Sequence, residues 1–177
     1  MMTDSTEDAV DLTGEWRGYY KQHGVSRPIV ATLVQTGSHV TGTMRDVETE
    51  FEQSLFDAAL EAGLPPGADE QIDRQLREMF PKAGRVPIRG KSRLPSESTL
   101  DGTADDDFVT FVKTYKGQHF TGYQIGDDEV GAVTEDHSVQ YKGRIQQRGR
   151  RVEGFWSISR PNSPETAQQG PFVLERV

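Results

Sequence analysis

Four times along the chain one short pattern returns: Leu12-Thr-Gly14-Glu-Trp16, Val40-Thr-Gly42-Thr-Met44, Leu100-Asp-Gly102-Thr-Ala104 and Val152-Glu-Gly154-Phe-Trp156. In each copy, apolar positions two residues either side of a glycine alternate with more polar ones. That is the period of a strand, whose successive side chains point to opposite faces. The glycine falls on the apolar face, where it weakens a strand unless the backbone must bend or approach something closely. Repeated bends at inward positions are what a small antiparallel barrel needs. The pattern therefore predicts a mainly β chain that closes on itself.

The chain has 177 residues, of which 33% are hydrophobic, so apolar side chains are rationed to one face of each element. A half-buried antiparallel sheet fits that better than a parallel sheet covered on both sides. Length predicts one domain, 12–177, behind an acidic, disordered tail over 1–11. No run has the length of a membrane span, and the acidic start lacks the basic and apolar blocks of a secretory signal. With no cysteine there is neither a disulfide nor a thiolate site, and a cytoplasmic location is the expectation. The net charge of −8 argues against general nucleic-acid binding.

Strand signals cover 12–20, 28–35 and 39–45. The period then changes. Thr49 and Glu52 have capping-box spacing, and Phe51, Leu55, Ala59 and Ala62 follow at helical intervals up to Gly63 and two prolines. A second helix is expected from Asp69 and Glu70, with Ile72, Leu76, Met79 and Phe80 on one stripe ending at Pro81. Strands resume over 99–104, 108–115, 120–125, 137–145, 152–159 and 172–177, with a polar, proline-containing loop at 160–171. The prediction is an antiparallel up-and-down β-barrel of eight or nine strands with a two-helix hairpin inserted at 49–81. The hairpin cannot bury its stripes alone. It must cover a sheet, the barrel mouth or a partner.

Gly14, Trp16 and, near the end of the last strand, Arg176 together resemble the lipocalin and calycin superfamily. The resemblance implies a calycin-like barrel in which the first-strand tryptophan closes one end and the late arginine packs over its ring. The segments beginning at Leu12 and Val40 also look like avidin strand beginnings. The middle lipocalin signature, a Thr-Asp-Tyr type loop, is missing. Fatty-acid-binding proteins, relatives within the superfamily, carry their helical lid between the first two strands, whereas the hairpin here follows the third. The avidin tryptophan set is reduced to Trp16 and Trp156. Architecture and the structural roles of Gly14, Trp16 and Arg176 carry over; no ligand does.

Chemistry has few footholds in the chain. The stretch Gly84 to Ser92 is one residue too long for a phosphate-binding loop and no helix follows, so it reads as a basic connector. The four histidines show no helical metal spacing. His137 shares parity with Val139 and Tyr141 and can point inward, as a rim residue or, in the minority reading, a haem or metal ligand. The acids at 101–107 and 127–129 lack the calcium-loop pattern and suit turns. No nucleophile elbow occurs. No metal or cofactor is expected, and an enzyme with catalytic polar groups inside the barrel stays open as a third reading without a residue signature. Two non-enzymatic functions come first. In the first, the barrel holds a small, largely apolar molecule lined by Tyr20, Met44, His137, Tyr141 and Trp156, the inward glycines leaving volume for it. In the second, the barrel is filled and the hairpin docks a protein partner through Phe56, Leu60, Leu76 and Met79.

Overall fold

A computed structural model describes residues 9–22, 24–134, 138–160 and 163–177, the side chains of 159–167 aside. The chain forms two compact units, the first drawn from Met1–Val47, Ser96–Lys116 and Ser138–Val177, the second from Glu48–Pro95 and Gly117–His137. The expected disordered tail falls outside the described residues over 1–8.

The first unit is a closed barrel of eight antiparallel strands. They are β1 (Gly14–Gln22), β2 (Val25–Thr36), β3 (His39–Asp46), β6 (Glu97–Ala104), β7 (Phe108–Tyr115), β10 (Ser138–Gln146), β11 (Arg151–Arg160) and β12 (Ser163–Arg176). Interleaved with them in the chain are the strands of the second unit, β4 (Glu50–Ser54), β5 (Ile88–Arg93), β8 (His119–Ile125) and β9 (Asp128–Thr134), and its helices α1 (Leu55–Glu61) and α2 (Ala68–Met79). Barrel strands neighbour one another in chain order and β12 closes on β1, the up-and-down arrangement expected.

Three of the four recurring glycines have a common cause. A Cβ at Gly42, Gly102 or Gly154 would lie 2.0, 1.9 or 1.8 Å from a carbonyl oxygen of the adjacent strand, respectively Thr32, Thr110 and Lys142. The sheet coils so tightly that neighbouring backbone fills the place of the side chain, and only glycine fits. These glycines therefore permit curvature and leave no volume behind. Gly143 differs, since its missing Cβ would meet Val152 Cγ1 at 2.5 Å and the Phe172 ring at 2.9 Å. Neighbouring side chains already occupy that space.

Several expectations are corrected. The segment 49–52 does not start a helix: Phe51 lies in β4, and the cap is Ser54, whose Oγ accepts from the Asp57 N–H at 3.1 Å. Alternation from Glu50 to Gln53 is compatible with a strand, and edge pairing with β5 decides it. The strand at 120–125 joins a second, four-stranded antiparallel sheet of order β4-β5-β8-β9 instead of the barrel. The basic connector is largely β5, paired with β4 and β8. Most of the expected loop at 160–171 is strand, since β12 begins at Ser163. The hairpin's apolar stripe covers the second sheet: Leu76, Ile88 and Ile125 form its buried centre, with Leu55, Ile72, Phe80, Tyr123 and Val130 packed around them.

Candidate functional site

Alternation on β7 is ambiguous in sequence because both faces carry aromatic or aliphatic groups. In the barrel, Val109, Phe111, Lys113 and Tyr115 point inward and Phe108 and Val112 outward. A lysine thus enters an apolar interior. Its side chain is 0% exposed, and its Nζ lies 2.7 Å from Oδ2 of Asp46, itself 1% exposed. Nζ also donates to the Tyr115 hydroxyl at 2.9 Å and sits 4.4 Å from the Tyr115 ring centre and 5.8 Å from that of Tyr20. The Asp46 Oδ1 atom is buried with no hydrogen-bond partner among the described residues. Asp46 is the last residue of β3 and Tyr115 the last of β7, so the cluster clasps two strand ends.

Burial disfavours charge here. Desolvation lowers the Lys113 pKa, while attraction to Asp46 opposes that shift. Desolvation, reinforced by the Asp46 charge, holds the Tyr115 phenol far above its ordinary value, and Tyr141 is raised in the same way. A raised phenol contributes stability that is present below the unfolded value of 10.0 and lost as pH climbs beyond it. Lys113 works oppositely: its lowered pKa makes stability rise with pH, and that contribution is complete by 10.5. Above that pH the phenols govern. We expect two tyrosines to remain un-ionised in native protein and to titrate together with unfolding, as phenolate absorbance and circular dichroism recorded on one sample will show. Phenolate signal from all five tyrosines before any loss of structure would contradict the burial.

Of the residues expected to line the barrel, Trp156 adjoins Tyr20 and pairs across strands with Tyr141. Tyr20, Met44, Tyr141 and Trp156 are all buried. Tyr141 stacks on Phe111 with centres 5.1 Å apart and meets Phe172 edge-on at 4.9 Å. Trp156 meets Tyr20 edge-on at 6.0 Å and donates Nε1–H to the Lys21 carbonyl at 2.9 Å. These rings fill one another's space. His137 lies outside the described residues. At the other end of β1, Trp16 is 1% exposed and donates to the Leu12 carbonyl at 2.9 Å. Arg176, its partner across β1 and β12, holds its guanidinium 5.3 Å from the indole centre and donates to the Asp11 carbonyl. Gly14 takes φ +143°, and the place of its Cβ lies 3.9 Å from Arg176 Nε. The geometry is compatible with a calycin-like barrel end.

The other constellations have structural partners. Lys91 pairs with Glu129 at 2.7 Å and donates to Gln124 at 3.0 Å, while Arg93 pairs with Glu50 and Glu129. Asp105 caps its own turn by accepting from the Asp107 and Phe108 N–H groups, and Asp101 meets His39 at 2.9 Å. Among the described residues no three His, Asp or Glu side chains are grouped to hold a metal, and no helix is long and apolar enough to cross a membrane.

The hairpin residues separate into two sets. Leu76, expected at a docking surface, is 7% exposed and belongs to the second unit's core. Its stripe-mate Met79 is 65% exposed, and on α1 Phe56 and Leu60 are 60% and 66% exposed. Phe56 and Leu60 stand one turn apart on one side of their helix. Leu64, just beyond α1, is exposed as well. The sequence signal for this division lies at Phe56 and Leu60, which fall off the Leu55–Ala59 stripe. No such signal marks Lys113, whose side chain reads as solvent-facing in any pattern of polar and apolar residues. No family model, curated protein or solved structure matches the chain.

Proposed function

We propose that this is a non-catalytic binding protein that engages a protein partner through the exposed face of α1 and α2. The carrying observation is the exposure of Phe56, Leu60 and Met79 at 60–66% on elements whose other apolar residues already cover the second sheet. Scattered single apolar residues need no explanation, whereas several on two short packed helices mark an interaction surface. The rival reading, an apolar molecule in the barrel lined by Tyr20, Met44, His137, Tyr141 and Trp156, has weaker support. Rings of Phe111, Tyr141 and Phe172 pack on one another there, and the Lys113–Asp46 pair would meet such a ligand with charge.

A photoreactive phenylalanine analogue placed in turn at Phe56, Leu60 and Phe155 tests the proposal in cells. Phe155, on the barrel wall, is 66% exposed and serves as control. A discrete cross-linked species from positions 56 and 60, missing at 155, is the expected result. Equal labelling at all three, or none at 56 and 60, would overturn it.

A further inference from the structure

The second unit's helices also carry a charge pattern, and it identifies the chemistry of a partner. α1 and α2 hold six carboxylates, Asp57, Glu61, Asp69, Glu70, Asp73 and Glu78, against Arg74 and Arg77. Arg77 is engaged within the unit: it pairs with Asp73 at 2.8 Å and donates to the carbonyls of Gly84 and Val86. On α1 the row Phe56, Leu60 is flanked by exposed Asp57 and, one turn on, half-buried Glu61. Exposed Glu70 opens α2. Cations resume only beyond α2, at Lys82, Arg85 and Arg89, and the next two, Lys91 and Arg93, are held by Glu129 and Glu50.

We infer that the face formed by Phe56, Leu60 and their acidic neighbours takes a basic amphipathic segment of a protein partner, with apolar anchors flanked by lysine or arginine. The inference rests on the docking reading above and adds the partner's charge to it. An apolar centre with a charged rim is the usual plan of an interface, and the rim sets which partner is accepted. Amphipathic segments dock by placing alternate-turn anchors against such apolar positions. The same acidic rim repels a second copy of itself and the anionic surface of a membrane.

A display library of helical peptides, selected on the full-length protein, tests both claims separately. One variant, Phe56→Ser with Leu60→Ser, removes the anchors' contacts. A second, Asp57→Asn with Glu61→Gln and Glu70→Gln, removes charge while the amide oxygen at position 57 can still accept from the Ser54 hydroxyl. Phe56, Leu60, Asp57 and Glu70 are exposed and Glu61 is half-buried, so melting temperatures should stay near wild type, which circular dichroism checks. Selected peptides should carry a lysine and arginine excess beside leucine or phenylalanine at helical spacing. Their affinity should fall about tenfold with the charge variant, and also on raising salt, because rim charges are screened. Peptides that need Phe56 and Leu60 but are neutral or acidic, or that ignore the charge variant, would overturn the inference and leave the docking reading standing. If no selected peptide depends on Phe56 and Leu60, both fall. A dimer lost in the Phe56→Ser, Leu60→Ser variant would make the occupant a second copy and likewise overturn the basic-segment inference.

Discussion

Lys113→Ala should destabilise the barrel by about 3–5 kcal/mol, the cost of leaving one half of a buried ion pair without its partner. The side chain is fully enclosed, and its removal strips the Asp46 carboxylate of the neighbour 2.7 Å away while Oδ1 has no hydrogen-bond partner among the described residues. A domain's whole stability is only about 5–15 kcal/mol, so the loss will be plain in a denaturant midpoint. The pair itself is a poor stabiliser, because desolvating two charges offsets most of their attraction. Hence Asp46→Leu combined with Lys113→Met should recover most of what Lys113→Ala loses. An unchanged midpoint in Lys113→Ala would mean that water reaches the pair.

Trp16→Ala should cost a similar amount, about 3–5 kcal/mol, as for other buried aromatics. Here the loss has three sources. The indole is 1% exposed, its Nε1–H satisfies the Leu12 carbonyl, and the Arg176 guanidinium rests 5.3 Å from the ring. Trp16→Phe keeps a ring under the arginine but abandons the carbonyl, and should lose less. Thermal melting of both variants checks the order. If Trp16→Ala melts with wild type, the closed barrel end is not where the stability lies.

The barrel was legible because most of its strands alternate and several of its hairpins, such as β1–β2 and β2–β3, have short turns. Val139, Tyr141, Gly143 and Ile145 point one way, and the polar residues between them the other. The register Trp16↔Arg176 agrees with the same parity, which places both residues on one face. Half of the second sheet, β4 and β5, was not legible, for a physical reason: these strands are short and polar. β4 contains one apolar residue, Phe51, and β5 one, Ile88, so periodicity had little to act on. Their pairing rests on backbone hydrogen bonds and on charged cross-strand contacts such as Arg93 with Glu50, which leave no local signature. The capping-box spacing at Thr49 misled for the same reason, since a short polar strand and a helix start share residue types.

Of the candidate site, Tyr20, Met44, Tyr141 and Trp156 could be placed inside by alternation alone. What alternation does not report is whether an inward glycine leaves space. At Gly42, Gly102 and Gly154 the adjacent strand's carbonyl decides that, and at Gly143 the Phe172 ring. Leu76 illustrates the converse error. One stripe on α2 carries both it and Met79, yet the four-stranded sheet covers the first and leaves the second exposed.

Titration with an environment-sensitive apolar dye, run on wild type and on Phe56→Ser with Leu60→Ser, tests most directly whether the exposed helical face or the barrel interior is the binding surface. Both tryptophans, Trp16 and Trp156, belong to the barrel and report on its interior. The account predicts weak dye binding that disappears in the variant, with tryptophan emission unchanged throughout. Saturable binding that quenches tryptophan and persists in the variant would mean that the barrel is hollow, and would contradict it.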